Sequence, residues 1–370
     1  MSSYCAGEAY CIDENIIRVA ILQDADKAGI RVDGNYKIID PQTGNVLRAS
    51  KDLRGFVDVF KDRIFLDAGE YAQEKIAISV DQADSLYVNN RRYHGSLCIL
   101  RKKKAITLVN YLPLEDYIKG IAVREISHYW PSSMLAAQAI VFRSYAFYQM
   151  RENAHRDYDL TGDVYSQVYG GTQAARYRIS DAVDETAGDV LTYKGKIFPA
   201  FYHSTCGGRT QDASVLWDID IEPLKGVECI YCRQSPHYSW KAVIPLKDAG
   251  VKLSRSKIIT GTLKGAAILG LDASGRVAEL SLTGENGGKN ISAKDFRQIL
   301  GPDVVKSANF SVDIRNKRLH LSGLGWGHGA GLCQWGAYFQ AKAGFSTREI
   351  LLFYYPGSAV DNIYSQKRDL

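Results

Sequence analysis

Residues 114–148 read LEDYIKGIAVREISHYWPSSMLAAQAIVFRSYAFY, and this stretch decides how the rest of the chain is organised. Its first part has the spacing of an amphipathic helix, and Pro131 opens a second helix. The most apolar run of the chain, Met134–Tyr148, is broken by Gln138 and Arg143. The run is therefore too polar for a membrane span and predicts a buried helix.

The segments on either side of these helices have a residue pattern that is typical of strands and loops. From Ile16 to Leu108, short β-prone runs alternate with turn residues, and after Asp157 mixed strands and glycine-rich loops follow. We therefore expect an α+β fold, in which a β-rich N-terminal region precedes a mixed α/β core with two central helices and glycine-rich loops.

The composition is that of a globular protein. Of 370 residues, 46% are hydrophobic and 24% are charged, and 46 Lys and Arg against 41 Asp and Glu leave a net charge of +5. Disorder is excluded, because it requires few apolar residues and a high net charge. A basic run at Arg101–Lys104 lies near Arg91 and Arg92, but no nucleic-acid-binding motif accompanies it. We expect no nucleic-acid partner.

Two opposite charges point inward from the two predicted helices. The apolar stripe of the first helix consists of Leu114, Ile118, Ile121, Ala122 and Glu125. In the second helix, Arg143 lies in the middle of the apolar face. The carboxylates Glu115 and Asp116 need no such explanation, because they complement the dipole at the start of the first helix.

A buried charge is costly, so this arrangement has two interpretations. Glu125 and Arg143 could form a structural pair that locks the helices together. Alternatively, they line a cleft in which apolar surroundings raise the pKa of Glu125, so that it stays protonated near neutral pH and can donate a proton. Periodicity alone leaves both interpretations open.

Four separated motifs occur in a characteristic order. L-x-x-Y-x-x-G-x-x-x-x-E ends at Glu125, A-Q-A-x-x-x-R-S/T-Y-A contains Arg143, H-S-T-x-G-G begins at His203, and G-H-G-x-G-x-x-Q-W-G-A contains His328. With these motifs, residues 93–357 resemble the stage II sporulation protein D family. Members of that family are peptidoglycan lytic transglycosylases or relatives that modify wall amidases.

The resemblance implies a domain division and two site residues. The expected segments are a flexible N-terminus (1–15), a β-rich region (16–104) and a catalytic domain (105–370) with a β-rich insertion at about 241–320. It also implies that Glu125 is the catalytic acid and that Arg143 supports the site. Because an adjacent arginine lowers a carboxyl pKa, we expect Arg143 to hold substrate or a neighbouring group rather than Glu125 itself.

The activity implied is cleavage of the β-1,4 bond between N-acetylmuramic acid and N-acetylglucosamine, with formation of 1,6-anhydro-N-acetylmuramic acid on glycan strands stripped of stem peptides. The alternative is a non-catalytic glycan-binding modifier of a cell-wall amidase. Polar side chains in the glycine-rich loops would hydrogen-bond the glycan or stabilise tight turns. These candidates are His203, Ser204, Thr205, Thr210, His328 and Gln334.

The cysteines suggest a metal site outside the catalytic chemistry, which itself requires no cofactor. Cys229 and Cys232 form a C-x-x-C pair, and with Cys206 and His237 they make a plausible structural zinc set. His203 is a competing fourth ligand, and a disulfide joining Cys232 to Cys229 or Cys206, or free thiols, are alternatives. Cys333, like Cys5, Cys11 and Cys98, lacks close ligand spacing and is expected to be a plain thiol.

The visible start of the chain, MSSYCAGEAYCIDEN, has neither the basic nor the apolar region of a secretory signal. The expected substrate nevertheless lies outside the cytoplasmic membrane. We therefore expect an extracytoplasmic protein of the periplasm or cell envelope, whose signal or anchor is absent from this sequence. Its expected partners are glycan strands and a cell-wall amidase.

Overall fold

The computed structural model describes residues 15–81, 85–163, 166–171 and 176–365, so residues 1–14 of the expected flexible N-terminus lie outside it. The α-helices are α1 (Leu114–Glu125), α2 (Ser132–Glu152), α3 (Tyr177–Glu185), α4 (Ser214–Trp217), α5 (Leu246–Arg255), α6 (Ala293–Leu300), α7 (Gln334–Lys342) and α8 (Thr347–Tyr354). The strands are β1 (Ile16–Ala25), β2 (Lys27–Ile39), β3 (Val46–Phe60), β4 (Arg63–Leu66), β5 (Gly69–Tyr71), β6 (Lys75–Val80), β7 (Ser85–Val88), β8 (Arg91–Tyr93), β9 (Ser96–Lys102), β10 (Ala105–Pro113), β11 (Leu160–Thr161), β12 (Asp189–Tyr193), β13 (Lys196–Ile197), β14 (Tyr202–His203), β15 (Ser239–Pro245), β16 (Gly265–Leu271), β17 (Val277–Gly284), β18 (Gly287–Ser292), β19 (Phe310–Arg315), β20 (Arg318–Leu324), β21 (Leu332–Cys333) and β22 (Ala359–Asn362). This content confirms the α+β class.

The N-terminal strands form one large sheet in the order β11-β1-β10-β9-β6-β2-β3-β4-β5, with β7 and β8 attached to β2. Side chains alternate between its faces, and residues such as Ile30 and Val32 are buried on one of them. The predicted boundary lies between residues 104 and 105. It falls inside the β9–β10 hairpin, whose register pairs Lys102 with Ala105, so the β-rich region extends through Pro113.

The helix α2 lies between two hydrophobic cores. Ala139 and Phe142 pack with α1 and the large sheet, whereas Ala137 and Val141 pack with α7, α8 and β12. A helix that is apolar on all sides is stable when it is surrounded in this way. No helix in the described ranges is both long and apolar enough to cross a membrane.

Two glycine-rich loops meet beside the second core. In the parallel β14–β21 ladder, Tyr202 pairs with Leu332 and His203 with Cys333. Gly331 adopts a φ of +68°, and a Cβ atom there would overlap the carbonyl oxygen of Phe201. Glycine therefore permits the close approach that joins the H-S-T-C-G-G loop to the G-H-G-A-G loop.

The segment from Ser239 to Leu324 has a core of its own, in the region where the sequence predicts a β-rich insertion. The sheets β15-β20-β19 and β16-β17-β18 pack with α5 and α6. Leu280, Phe296 and Leu319 are fully buried between them. The insertion leaves and rejoins the rest of the chain through the paired strands β15 and β20.

Candidate active site

Glu125 is the last residue of α1, and its side chain is partly exposed. The carboxylate Oε1 accepts a hydrogen bond from the Val168 N–H at 3.1 Å. Burial raises the pKa of Glu125 above its ordinary value, while the hydrogen bond from Val168 opposes this shift. The site thus contains an acid that is desolvated but still reachable.

Two tyrosines lie near this carboxyl. Burial raises the pKa values of Tyr117 and Tyr202 well above the ordinary value, and repulsion from neighbouring groups that include Glu125 adds to the shift. Both phenols therefore remain neutral hydrogen-bond donors. The Tyr117 hydroxyl donates to Gln167 Oε1 at 3.1 Å, and the ring of Tyr202 lies 4.9 Å from that of Phe142, centroid to centroid.

The N–H of Val168 is positioned by its neighbour Tyr169. The Tyr169 hydroxyl donates to Asn110 Oδ1 at 3.0 Å, and its ring lies 5.2 Å from the ring of Tyr117. The same ring packs directly on Gly120, where a Cβ atom would come within 2.7 Å of it. The tyrosine and glycine of the first motif thus hold the segment that contacts the glutamate.

Arg143 lies away from Glu125 and is completely buried. Its Nε and Nη2 donate to the carboxylate of Glu115 at 2.9 and 2.8 Å, and the remaining donors bond the carbonyl oxygens of Asp189 and Val183. Glu115 is ten residues before Glu125, which corresponds to about 15 Å along a helix. Arg143 therefore binds the opposite end of α1.

Both sequence interpretations of Arg143 need correction. It forms no pair with Glu125, and as a buried group whose donors are occupied by protein atoms it cannot bind substrate. The expectation that it holds a neighbouring group rather than Glu125 agrees with the geometry. Arg143 is a positioning residue that ties α1 to α2, α3 and β12. Its partner Glu115, whose side chain is partly exposed, has a specific role beyond complementing the helix dipole.

The candidate glycan-binding residues fall into two groups. Ser204 and His328 keep some exposure, whereas His203, Thr205, Thr210 and Gln334 are buried. Thr205 and Thr210 are placed as in the turn-stabilising alternative, because protein atoms already occupy their hydroxyls. Thr205 Oγ1 bonds Ser235 Oγ at 2.9 Å, and Thr210 Oγ1 accepts the Val227 N–H at 2.6 Å.

The two histidines are neutral. Desolvation, followed by repulsion from Arg297 and Arg276, lowers the pKa of His328 to about 3. His328 Nδ1 accepts the Ala330 N–H at 3.1 Å, and His203 Nδ1 donates to the Ala330 carbonyl at 3.0 Å. These bonds orient both rings within the joined loops.

An aromatic surface lies beside these histidines. The rings of Phe201 and Trp217 stack at 4.0 Å, and Trp217 meets His328 edge-on at 5.0 Å. Trp217 is 36% exposed, so part of this surface is open to solvent. Tyr202, which interacts electrostatically with Glu125, directly follows Phe201 in the chain.

Sequence reasoning missed several residues of the site. Tyr117 and Tyr145 lie inside the quoted motifs, so a signal for them was present; the Tyr145 ring lies 6.0 Å from that of Phe201. Tyr202 and Val168 reach Glu125 through contacts between distant segments. No local pattern could have indicated those contacts.

Four cysteine sulfurs converge next to the glycine-rich loops. The sulfurs of Cys206, Cys229, Cys232 and Cys333 all lie within 4.8 Å of one another, and all four residues are buried. The prediction of His237 as the fourth member is wrong, because its ring packs against Trp326 instead, with centroids 4.8 Å apart. Cys333, predicted to be a plain thiol, takes that place.

A family model described as Stage II sporulation protein matches residues 102–193, which contain α1, α2 and Glu125. An uncharacterized protein of Brachyspira hyodysenteriae is 30% identical over 346 residues, 93% of this chain and 92% of that protein. Stage II sporulation protein D of Bacillus subtilis is 28% identical over 274 residues, 68% of this chain and 75% of that protein. The chain belongs to the stage II sporulation protein D family.

The resemblance inferred from the four motifs is thereby confirmed. The amidase enhancer of Bacillus subtilis is also similar, with 27% identity over 288 residues, which cover 66% of this chain and 40% of that protein. A model for a domain of unknown function matches residues 230–331, which contain the insertion. Membership of the stage II sporulation protein D family and the amidase enhancer relative support a role related to the cell wall.

Proposed function

We propose that the chain is a peptidoglycan lytic transglycosylase of the cell envelope, with Glu125 as its general acid and base. The substrate is the glycan strand after removal of stem peptides, cleaved between N-acetylmuramic acid and N-acetylglucosamine. The observation that carries this proposal is the environment of Glu125. Its carboxyl is desolvated and partly exposed, it has a raised pKa, and neutral phenols lie near it.

One carboxylic acid is sufficient for this reaction. The protonated Glu125 gives its proton to the bridging oxygen, and the bond between that oxygen and C1 of N-acetylmuramic acid breaks through an oxocarbenium-like state. The C6 hydroxyl of the same sugar then attacks C1 and forms the 1,6-anhydro ring. Its proton returns to the Glu125 carboxylate, so the acid is restored and no water is consumed.

Neutral groups near Glu125 suit a substrate rich in hydroxyl and acetamido groups. Ser204, on the loop side of the site, keeps some exposure and offers a hydroxyl for hydrogen bonding. The exposed edge of Trp217 offers an apolar face on which a sugar ring can stack. We propose that the glycan lies along the H-S-T-C-G-G loop, with the scissile bond at Glu125.

The test is incubation of the purified chain with peptide-free glycan strands, followed by mass spectrometry of the products. We expect 1,6-anhydro ends from the wild type and a loss of about 10²-fold or more in rate for Glu125→Gln. The matched control is Glu152→Gln, which changes an exposed carboxyl at the end of α2. Reducing ends without anhydro sugar would indicate a hydrolase instead.

The second candidate function is a non-catalytic, glycan-binding modifier of a cell-wall amidase, which the similarity to an amidase enhancer favours. In that case the wild type and Glu125→Gln would bind glycan strands equally well and release no product. Both would also change the rate of a purified amidase to the same extent. A difference between the two proteins in product formation supports the enzyme.

A further inference from the structure

The four-cysteine cluster joins segments that are far apart in sequence. Cys206 lies in the H-S-T-C-G-G loop, Cys229 and Cys232 flank the start of a 3-10 turn at Tyr231–Gln234, and Cys333 immediately precedes α7. Cys206 Sγ and Cys232 Sγ are 3.4 Å apart, and every pair among the four sulfurs is within 4.8 Å. Sulfurs bound to one zinc ion in a tetrahedron are about 3.8 Å apart, given a Zn–S bond of about 2.3 Å.

Backbone donors point at these sulfurs. Cys333 Sγ accepts the N–H of Cys206 at 3.2 Å and the N–H of Gly336 at 3.4 Å, the latter at the N-terminus of α7. The Tyr354 hydroxyl lies 3.3 Å from Cys229 Sγ. Such donors and the positive end of a helix dipole stabilise thiolates, the form in which cysteine binds metal.

A buried cation supplies complementary charge. Arg276, in the β16–β17 turn of the insertion, is 2% exposed, and its Nη2 donates to the Cys206 carbonyl at 2.7 Å. Its electrostatic partners include Asp272 and the sulfurs of Cys206, Cys333 and Cys232. A zinc ion with four thiolates carries a net charge of −2. A neighbouring guanidinium therefore reduces the free energy needed to bury the metal centre and the arginine.

A glycine provides the space that this arrangement needs. A Cβ atom at Gly336 would overlap the Tyr354 hydroxyl, and it would lie 2.8 Å from Cys229 Sγ and 3.3 Å from Cys333 Sγ. The first turn of α7 can therefore approach the sulfurs only because residue 336 has no side chain. The fit of helix, sulfurs and tyrosine is that of a preformed site.

We propose that Cys206, Cys229, Cys232 and Cys333 bind one structural Zn²⁺ ion. Tetrahedral four-sulfur sets select zinc or iron, and sulfurs that converge within 4.8 Å suit a single ion. The ion fastens the H-S-T-C-G-G loop to the start of α7 and leaves no open coordination position. It therefore stabilises the loops beside Glu125 without taking part in chemistry, and the inference does not depend on the proposed reaction.

The wild-type chain, purified under reducing conditions from zinc-supplemented medium, tests the proposal directly. We expect about one zinc per chain by elemental analysis. X-ray absorption at the zinc edge is expected to show four sulfur neighbours and no nitrogen. Stoichiometric iron, a shell of three sulfurs and one nitrogen, or zinc far below one per chain would overturn the assignment. The assignment would also be overturned if the denatured, non-reduced protein had a lower mass than the reduced protein, by the hydrogens that are lost when disulfides form.

Variants identify the ligands. Cys333→Ser and Cys206→Ser are expected to lose most of the bound zinc, whereas two control variants keep it. His237→Ala removes the ligand that sequence spacing suggested, and Cys98→Ser removes a buried thiol outside the cluster. Zinc retained by Cys333→Ser, or lost in His237→Ala, contradicts the proposed set. If a cysteine variant does not fold, the absorption spectrum of the wild type decides the question.

Discussion

At the scale of single residues, two carboxyls of α1 differ in their partners within the described part of the chain. Glu115 and Glu125 lie on the same helix, but only Glu115 forms an ion pair with Arg143. Glu115 accepts hydrogen bonds from Nε and Nη2 of Arg143, whereas Glu125 accepts one from a backbone N–H. An ion pair would hold Glu125 ionised, so its distance from Arg143 is consistent with the proposed role of Glu125 as an acid.

The raised pKa of Glu125 predicts a pH dependence of stability. The folded state binds this proton more tightly than the unfolded state, so ionisation of Glu125 costs stability as pH rises from the ordinary glutamate pKa through the higher folded value. Glu125→Gln should match the wild type at low pH and become relatively more stable towards neutral pH. Thermal unfolding at a series of pH values measures this difference.

Two controls accompany that measurement. Glu152→Gln, at an exposed carboxyl, should follow the wild type at every pH. Glycan cleavage by the wild type should decline over the same rising pH range, because the acid must be protonated to donate. Parallel stability curves for the wild type and Glu125→Gln would show that the carboxyl is not perturbed.

At the scale of elements, contacts with other segments hold both ends of the helix α1. Arg143 holds its first turn, and the packing of Tyr169 on Gly120 fixes the segment that contacts its last residue. The glycine has a cost, because glycine inside a helix is about 1 kcal/mol less favourable than alanine. The close approach of Tyr169 explains why it is present.

Gly120→Ala tests this explanation. Without a clash, alanine would stabilise the helix by about 1 kcal/mol. We expect destabilisation instead, because the new methyl displaces Tyr169 and with it the N–H of Val168. Loss of that hydrogen bond raises the pKa of Glu125 further, so the pH limit of glycan cleavage should move upward. Thermal unfolding and a pH–rate profile measure the two effects.

The matched control is Gly270→Ala in β16, where an added Cβ meets nothing within 4 Å. It should leave both the stability of the core and the pH profile unchanged. An unchanged pH profile in Gly120→Ala would show that Tyr169 does not position the contact to Glu125.

At the scale of the whole molecule, the three largest hydrophobic cores of the described residues differ in how they are connected to one another. The helix α2 contributes residues to the first two cores, which links the large sheet to the glycine-rich loops. The third core belongs to the insertion. We infer that the first two cores unfold together, while the insertion can lose its packing locally.

Phe296→Ala, in the centre of the insertion core, tests this inference. Truncation of a buried phenylalanine costs about 3–5 kcal/mol. Hydrogen exchange should accelerate in residues 239–324 and stay unchanged in α2. Phe142→Ala, in α2, is the comparison, because it should accelerate exchange in both the large sheet and the loops. Faster exchange throughout the chain in Phe296→Ala would mean that all three cores form one cooperative unit.

Much of this organisation was predictable from local sequence. The starts of α1 and α2 follow from periodicity and from the prolines that precede them, and the α+β class follows from the change of texture at residue 114. The position of Glu125 on the apolar stripe was also visible. The order of the strands was not, because only the pairing in the folded chain places β10 between β1 and β9.

The sequence by itself determined the first two helices, the family and the position of Glu125 on an apolar helix face, because each depends on motifs that are local in the chain. The tertiary structure alone decided which groups meet: Arg143 with Glu115 rather than Glu125, and Cys333 rather than His237 with the other three cysteines. The physical reason is the same in both cases. A charge or a thiol is satisfied by whatever lies within a few ångströms, and folding brings distant segments to that distance.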